Sequence, residues 1–329
     1  MTELSGYQDS ALPPSVRETV VTVGTFDGVH RGHRDVVERL VARAGQLGVA
    51  SVLVTFDPHP MVVVNPLAAP LLLTTMEEKL EVLAESGLEY LAVVPFTPAL
   101  AGYTAEQFVE LVLRRCFRMR ELLIGYDHGF GRQRAGNAEV LEELGKASGF
   151  RVEVVRPVEA RDGHSISSTS IRRAVAGGDL ERAADSLGRL YSVSGEVISG
   201  ESRGRSIGFP TVNLGAPPKR KLLPPEGVYA VRAHTPRGKF GGMMNLGPRP
   251  TFGDSATSIE AHLFDTNERL YGDHVRLDFV ARLRETRKFS SADALRAQLQ
   301  TDETIARRAL TLNSRPDTLR GSGKTQTSL

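Results

Sequence analysis

One cysteine, Cys116, occurs in 329 residues. No intramolecular disulfide can form, and usage this sparse fits a reducing compartment. No run approaches the roughly 20 consecutive apolar residues of a membrane-spanning helix. The opening residues MTELSGYQDSALPP have neither the basic start nor the apolar stretch of a secretory signal, so the expected location is the cytoplasm. Charge of one sign is also missing: 41 Lys and Arg against 39 Asp and Glu leave a formal +2. Nothing therefore demands nucleic acid or an acidic membrane as a partner, and a weak homo-oligomer is compatible with the balance. No internal repeat is visible. Gly321-Ser322-Gly323-Lys324-Thr325 imitates a phosphate-binding loop, but its first required glycine would fall at Thr318 and no strand precedes it. Residues 314–329 read as a polar, disordered tail. What is present is the composition of a soluble globular protein, 40% hydrophobic and 24% charged, with length for two domains.

The N-terminal half is organised around VVTVGTFDGVHRGHRDVVERL, Val20–Leu40. Val20, Val21 and Val23 form a short β-branched run that suits a buried strand. After Gly32, Val36, Val37, Leu40, Val41 and Ala44 recur at helical spacing, and Gly48 can end the helix. His30, Gly32 and His33 thus sit in a turn where a helix begins. The first helical turn favours an anion such as phosphate, and a glycine there admits close approach. Two imidazoles beside it can donate to phosphate oxygens, although they can equally be ordinary polar residues at a helix start.

Further strands are expected at 51–56, 90–94, 122–126 and 152–155. Helices are expected at 76–85 (capping box Thr75/Glu78), 104–117 (Thr104/Gln107) and 138–147. This βα alternation predicts a parallel sheet with helices on both faces, a Rossmann-like α/β domain over 1–187. Asp57-Pro58-His59-Pro60 ends the second strand with a stiff loop at the edge where such sheets bind ligands. The loop GYDHGFGRQRAGN after the fourth strand offers Arg132 and Arg134 as forked phosphate donors, or is simply a flexible basic loop. Ser167, Ser168, Thr169 and Ser170 open another helix with Arg172 one turn on, as caps or as triphosphate ligands.

From about Leu187 the pattern changes to short alternating runs between Gly and Pro turns: 193–198, 211–214, 227–234, 240–246, 258–264 and 275–283. About six such strands predict a small antiparallel β-barrel or sandwich over 188–313. A closing helix, 292–313, is expected to pack Leu295, Leu299, Ile305 and Leu310 onto it. Thr211 and Asn213 share one strand face, as do Glu260 and His262. Hydroxyl and amide oxygens suit Mg²⁺ bound to ATP, and a carboxylate on that face can take a proton from an alcohol attacking a γ-phosphate. Turn chemistry and a solvated face are the plainer alternatives. Lys219-Arg220-Lys221, next to two prolines, reads as a solvated loop, with attraction of ATP phosphates the lesser alternative.

Taken together, the motifs resemble those of prokaryotic bifunctional riboflavin kinase/FMN adenylyltransferases (FAD synthetases). GTFDGVHRGH, a GxDxxFG loop and SSTxIR match the nucleotidyltransferase signatures. GRxIGFPTxNL, GVYAV, NLGxRPTFG and IEAHLFD-LYG match riboflavin kinases, so the likeness spans about Val20 to Leu312. For adenylyl transfer it implies His30 and His33 as catalytic residues. Gly24, Phe26, Asp27, Gly32, Ser168, Thr169 and Arg172 would lie around ATP, and Phe56, His59, Asp127 and Phe130 around the flavin. For the kinase it implies Glu260 as base, Gly204, Arg205, Gly208, Phe209 and Pro210 at ATP, and Thr211 and Asn213 at Mg²⁺. Two departures are His128-Gly129, where an aromatic and a basic residue are usual, and Val212 for the usual alanine. The implied reactions convert riboflavin to FMN and FMN to FAD with ATP, releasing pyrophosphate in the second. The alternatives are a nucleotidyltransferase for another phosphorylated small molecule and a catalytically inactive flavin- or nucleotide-binding regulator.

Overall fold

Strand β2, Thr19–Val23, is buried along its whole length, and β3, Ala50–Asp57, at every residue but the last. Unbroken burial requires cover on both faces, which is what a parallel sheet between helices provides. A computed structural model describes residues 1–5, 12–126, 129, 131, 136–159, 163, 165–199, 204, 207–248, 257–266 and 268–312. Asp127, His128, Phe130, Arg132, Arg134, Arg205 and the tail lie outside the described residues. The chain divides into two compact units: Met1–Ile171 with Arg220–Leu222, and the remainder.

The first unit holds a six-stranded sheet in the order β1-β4-β3-β2-β5-β6, every pair parallel. Its other strands are β1 (Thr2–Ser5), β4 (Tyr90–Pro95), β5 (Met119–Gly125) and β6 (Arg151–Val155). Five of the six are anticipated by sequence; β1, four residues long at an edge, carries too short a pattern to read. The helices are α1 (Arg31–Leu47), α2 (Pro60–Val64), α3 (Met76–Ala84), α4 (Pro98–Ala101), α5 (Ala105–Phe108) and α6 (Ala138–Ser148). Both expected capping boxes form, Thr75/Glu78 and Thr104/Gln107. The expected helix 104–117 becomes α5 and then a π-helical run, Val109–Arg114.

Alternate residues of each strand feed two cores. Val20, Leu53, Leu91 and Leu123 pack with α1 and α3, while Val21, Val54, Ala92 and Ile124 pack with Phe108, Val112 and α6. Strand order reverses at β2: β3 and β4 extend to one side, and the chain then returns to set β5 on the other. Such a reversal opens a crevice beyond the carboxyl ends of the strands. The turns after β2 and β5 leave from there.

Helix α7 (Ser168–Ala176) contains the division between the units, and α8 (Leu180–Leu187) belongs to the second. There β7 (Ser192–Ile198), β8 (Val212–Leu214), β9 (Gly227–Thr235), β10 (Gly238–Pro248), β11 (Thr257–Leu263) and β12 (His274–Arg284) close an antiparallel barrel in the order β10-β11-β8-β7-β12-β9. All six strands match expectation. Helix α9, Ala292–Leu312, presents Leu299, Ala306 and Leu310 to a cluster with Phe209, Ala230, Met243 and Phe264. Ile305 does not join them: it is 46% exposed, whereas Asp302 is fully buried against Arg284. The helix therefore packs through Leu299 and Leu310 as expected, with Ile305, alone of the four residues named from sequence, turned out to solvent. The ion pair of Asp302 with Arg284 lies on the same inward side as Ala306.

Candidate functional site

The turn between β2 and α1 is backbone-constrained. Phe26 (φ 45°), Gly28 (φ 83°) and Val29 (φ 38°) all take left-handed angles. For a β-branched valine this is a costly conformation, of the kind that clusters at functional sites. His30 caps α1, its Nδ1 accepting from the His33 N–H at 3.3 Å. In the neutral ring that places the proton on Nε2, the atom able to donate to a phosphate oxygen. The two imidazoles stack with centroids 3.6 Å apart, and the Phe26 ring lies 5.0 Å from His33. A Cβ on Gly32 would sit 3.3 Å from His30 Nδ1, so glycine keeps this helix start open.

Asp27 acts inward. Its carboxylate, 2% exposed, accepts from Leu73 N (2.9 and 3.1 Å) and Thr74 N (3.1 Å), and Gly28 N donates to Thr74 Oγ1. Ser168 Oγ donates to the Asp27 carbonyl at 2.9 Å, joining the SSTxIR motif to the HxGH turn. The neighbouring hydroxyls divide the work: Ser167 and Ser170 cap each other at the helix start, and Thr169 is exposed. Arg172 follows on the next turn of α7, in the second unit.

Lys79 was not singled out from sequence. Its ammonium is buried beneath the turn, donating to Thr25 O at 2.7 Å and Thr55 Oγ1 at 3.2 Å. Burial lowers its pKa to about 8, with Asp27 and Asp57 acting in the opposite direction. The available signal was its place on the buried stripe of α3, four residues before Leu83. Phe56 packs edge-on to Phe96, ring centroids 5.3 Å apart, and His59 caps α2 through Nδ1. Gly24 precedes the strained turn, its N–H bonded to Val54 O.

In the second unit, Gly204 makes a turn with Phe209, whose N–H donates to its carbonyl at 2.8 Å. Any Cβ at Gly204 would fall 2.1 Å from Phe209 O. Phe209 is buried in the α9 cluster, and the Pro210 carbonyl accepts from His262 Nδ1 at 2.7 Å. A cleft of about 600 Å³ beside them is lined by Gly208, Phe209, Pro210, His262, Arg296 and Arg307. Asp265 and Glu303 hold Arg307 well above its ordinary pKa through hydrogen bonds. Glu260 lies two residues from His262 on the same strand face, register-paired with Asn213 on β8 and Asn245 on β10. The barrel thus makes a polar row of Asn213, Glu260 and Asn245, with Thr211 just before β8. Asn245 was missed because a lone asparagine in NLGPRP carries no spacing signal. Ser258 Oγ donates to Glu260 Oε1 at 3.2 Å. Among the described residues no cluster of His, Cys, Asp and Glu could hold a metal alone.

Two family models match: FAD synthetase over residues 12–170 and riboflavin kinase over 187–310. The Escherichia coli K12 bifunctional riboflavin kinase/FMN adenylyltransferase is 36% identical over 88% of this chain and 91% of its own. The Bacillus subtilis protein of the same description is 34% identical over 88% and 92%. This chain belongs to the bifunctional riboflavin kinase/FMN adenylyltransferase family. It is accordingly an enzyme of flavin cofactor biosynthesis, and neither alternative reading finds support in these relatives. A solved structure from Streptococcus pneumoniae described as a macrolide-efflux protein also aligns, with TM-score 0.82 and 30% identity over 93% of this chain and 99% of that one. Among the described residues of the present family member, no helix is long and apolar enough to cross a membrane.

Proposed function

We propose that residues 1–187 carry out adenylyl transfer to FMN and residues 188–313 phosphorylate riboflavin, each with its own ATP. The supporting observation is the His30–His33 stack at the start of α1, beyond the strand-order reversal and bonded through Asp27 to the Ser168 helix start. In adenylyl transfer an FMN phosphate oxygen attacks the α-phosphorus of ATP and pyrophosphate leaves. His30 Nε2–H, His33 and the first-turn amides of α1 donate to the phosphate oxygens as charge shifts, so catalysis is chiefly positioning and electrostatics. Gly24, Phe26 and Gly32 shape the ATP side of the turn, with Thr169 from α7. Phe56 and His59 are assigned to the flavin.

In the kinase step Glu260 takes the proton of the ribityl 5′-hydroxyl as that oxygen attacks the γ-phosphorus. Gly204, Gly208, Phe209 and Pro210 form the ATP turn. Thr211 and Asn213, the latter register-paired with Glu260, offer hard oxygen donors that would hold the Mg²⁺ of MgATP. When bound, Mg²⁺ neutralises phosphate charge. The test is incubation with riboflavin, ATP and Mg²⁺, with chromatographic separation of products. Both FMN and FAD are expected, with pyrophosphate released from ATP when FMN is supplied in place of riboflavin; FMN without FAD would remove the adenylyl assignment.

A further inference from the structure

Lys219-Arg220-Lys221 reads as a solvated charge run; Lys219 is indeed exposed, but the structure overturns that reading for Arg220 and Lys221. These residues lie in the stretch matched by the riboflavin kinase model, yet Arg220–Leu222 belongs to the first unit. Leu72 N donates to Arg220 O at 2.7 Å and Leu222 N to Leu72 O at 2.8 Å, a parallel bridge to the loop before α3. Arg220 Nη2 donates to Ala69 O and Pro70 O at 2.8 and 2.9 Å. The Lys221 side chain is 1% exposed, and its Nζ donates to Leu73 O at 2.8 Å and to Glu78 Oε2 at 2.6 Å.

Both recipients lead to the HxGH turn. The Leu73 and Thr74 N–H groups donate to Asp27, and Thr74 Oγ1 accepts from Gly28 N. Glu78 also accepts from Thr75 N, fixing the start of the helix whose next residue, Lys79, supports Thr25 O. A buried ammonium is tolerated only with close partners, and such a network holds its members to a narrow geometry. Lys221 is thus one bonded step from the peptide that Asp27 grips.

We infer that Lys221 is a positioning residue for adenylyl transfer: supplied by the kinase-matched part of the sequence, it holds Leu73 and Glu78 so that Asp27 seats His30 and His33. The inference rests on the adenylyl reading above. It is tested on full-length Lys221→Met and Lys221→Arg proteins, measuring FMN formation from riboflavin, FAD formation from FMN and thermal melting. For Lys221→Met the expected result is loss of FAD formation on the order of a hundredfold, a raised KM for ATP in that step, and unchanged FMN formation. Arginine, longer and planar, displaces Leu73 and should raise the same KM less; this variant carries the test where methionine prevents folding. An unchanged KM for ATP in the folded variants, with any rate loss matching the unfolded fraction, overturns the inference. A wild-type protein that makes FMN but no FAD would instead overturn the adenylyl reading itself.

Discussion

Lys79 shows what one side chain contributes beneath a site. The buried ammonium braces the Thr25 carbonyl, and burial lowers its pKa from 10.5 to about 8. The unfolded chain holds this proton to higher pH, so between those values it binds more protons than the folded protein. Stability from this group must then rise with pH across the window, by about 3 kcal/mol in total. Below pH 8 both states are charged and the slope disappears. Urea unfolding of the parent and Lys79→Met at pH 7 and pH 10 checks the sign. The parent should gain relative to the variant at pH 10, and parallel pH profiles would refute the assignment.

Helix α9 carries the lesson at the scale of an element. Its period is legible and Leu299 and Leu310 pack as expected, but at the edge of the apolar face Ile305 is exposed and Ala306 is buried. Asp302 lies on the same inward side as Ala306, and its carboxylate accepts Arg284 Nε at 3.0 Å and Nη2 at 2.6 Å and Gln298 Nε2 at 2.7 Å. Removing one partner of a buried pair commonly costs about 3–5 kcal/mol, more than one partly exposed isoleucine returns. Ile305→Lys should therefore change stability by no more than about 0.5 kcal/mol. Ala306→Lys, forcing bulk and charge into the α9 cluster, should cost at least about 2 kcal/mol. Denaturant melts of the two variants compare these directly; equal losses would mean that Ile305 is buried as Ala306 is.

Across the whole molecule, two sets of chemistry occupy one chain. His33→Ala should lower FAD formation from FMN by roughly a hundredfold while leaving riboflavin phosphorylation intact. Glu260→Gln should do the reverse, and equal damage to both steps in either variant would contradict separate sites. The compact units are not simple halves of the sequence: three residues from beyond the first barrel strands belong to the nucleotidyl unit. Local pattern gives no warning of this, since Lys219-Arg220-Lys221 next to prolines looks the same whether solvated or buried.

Sequence alone determined most of the elements, β1 and the π-helical end of the helix after Thr104 excepted, and the motifs they carry. Strand and helix periods, capping boxes and glycine turns are written within a few residues of one another, and they placed HxGH at a helix start and Glu260 with His262 on one strand face. Only the tertiary structure decided which polar groups meet: Asp27 with Thr74, Ser168 with Asp27 and Lys221 with Glu78, separated by 47, 141 and 143 positions. Burial repeats along the chain because each element has its own period. The partner of a buried charge is whatever packing brings opposite it, and no local period encodes that.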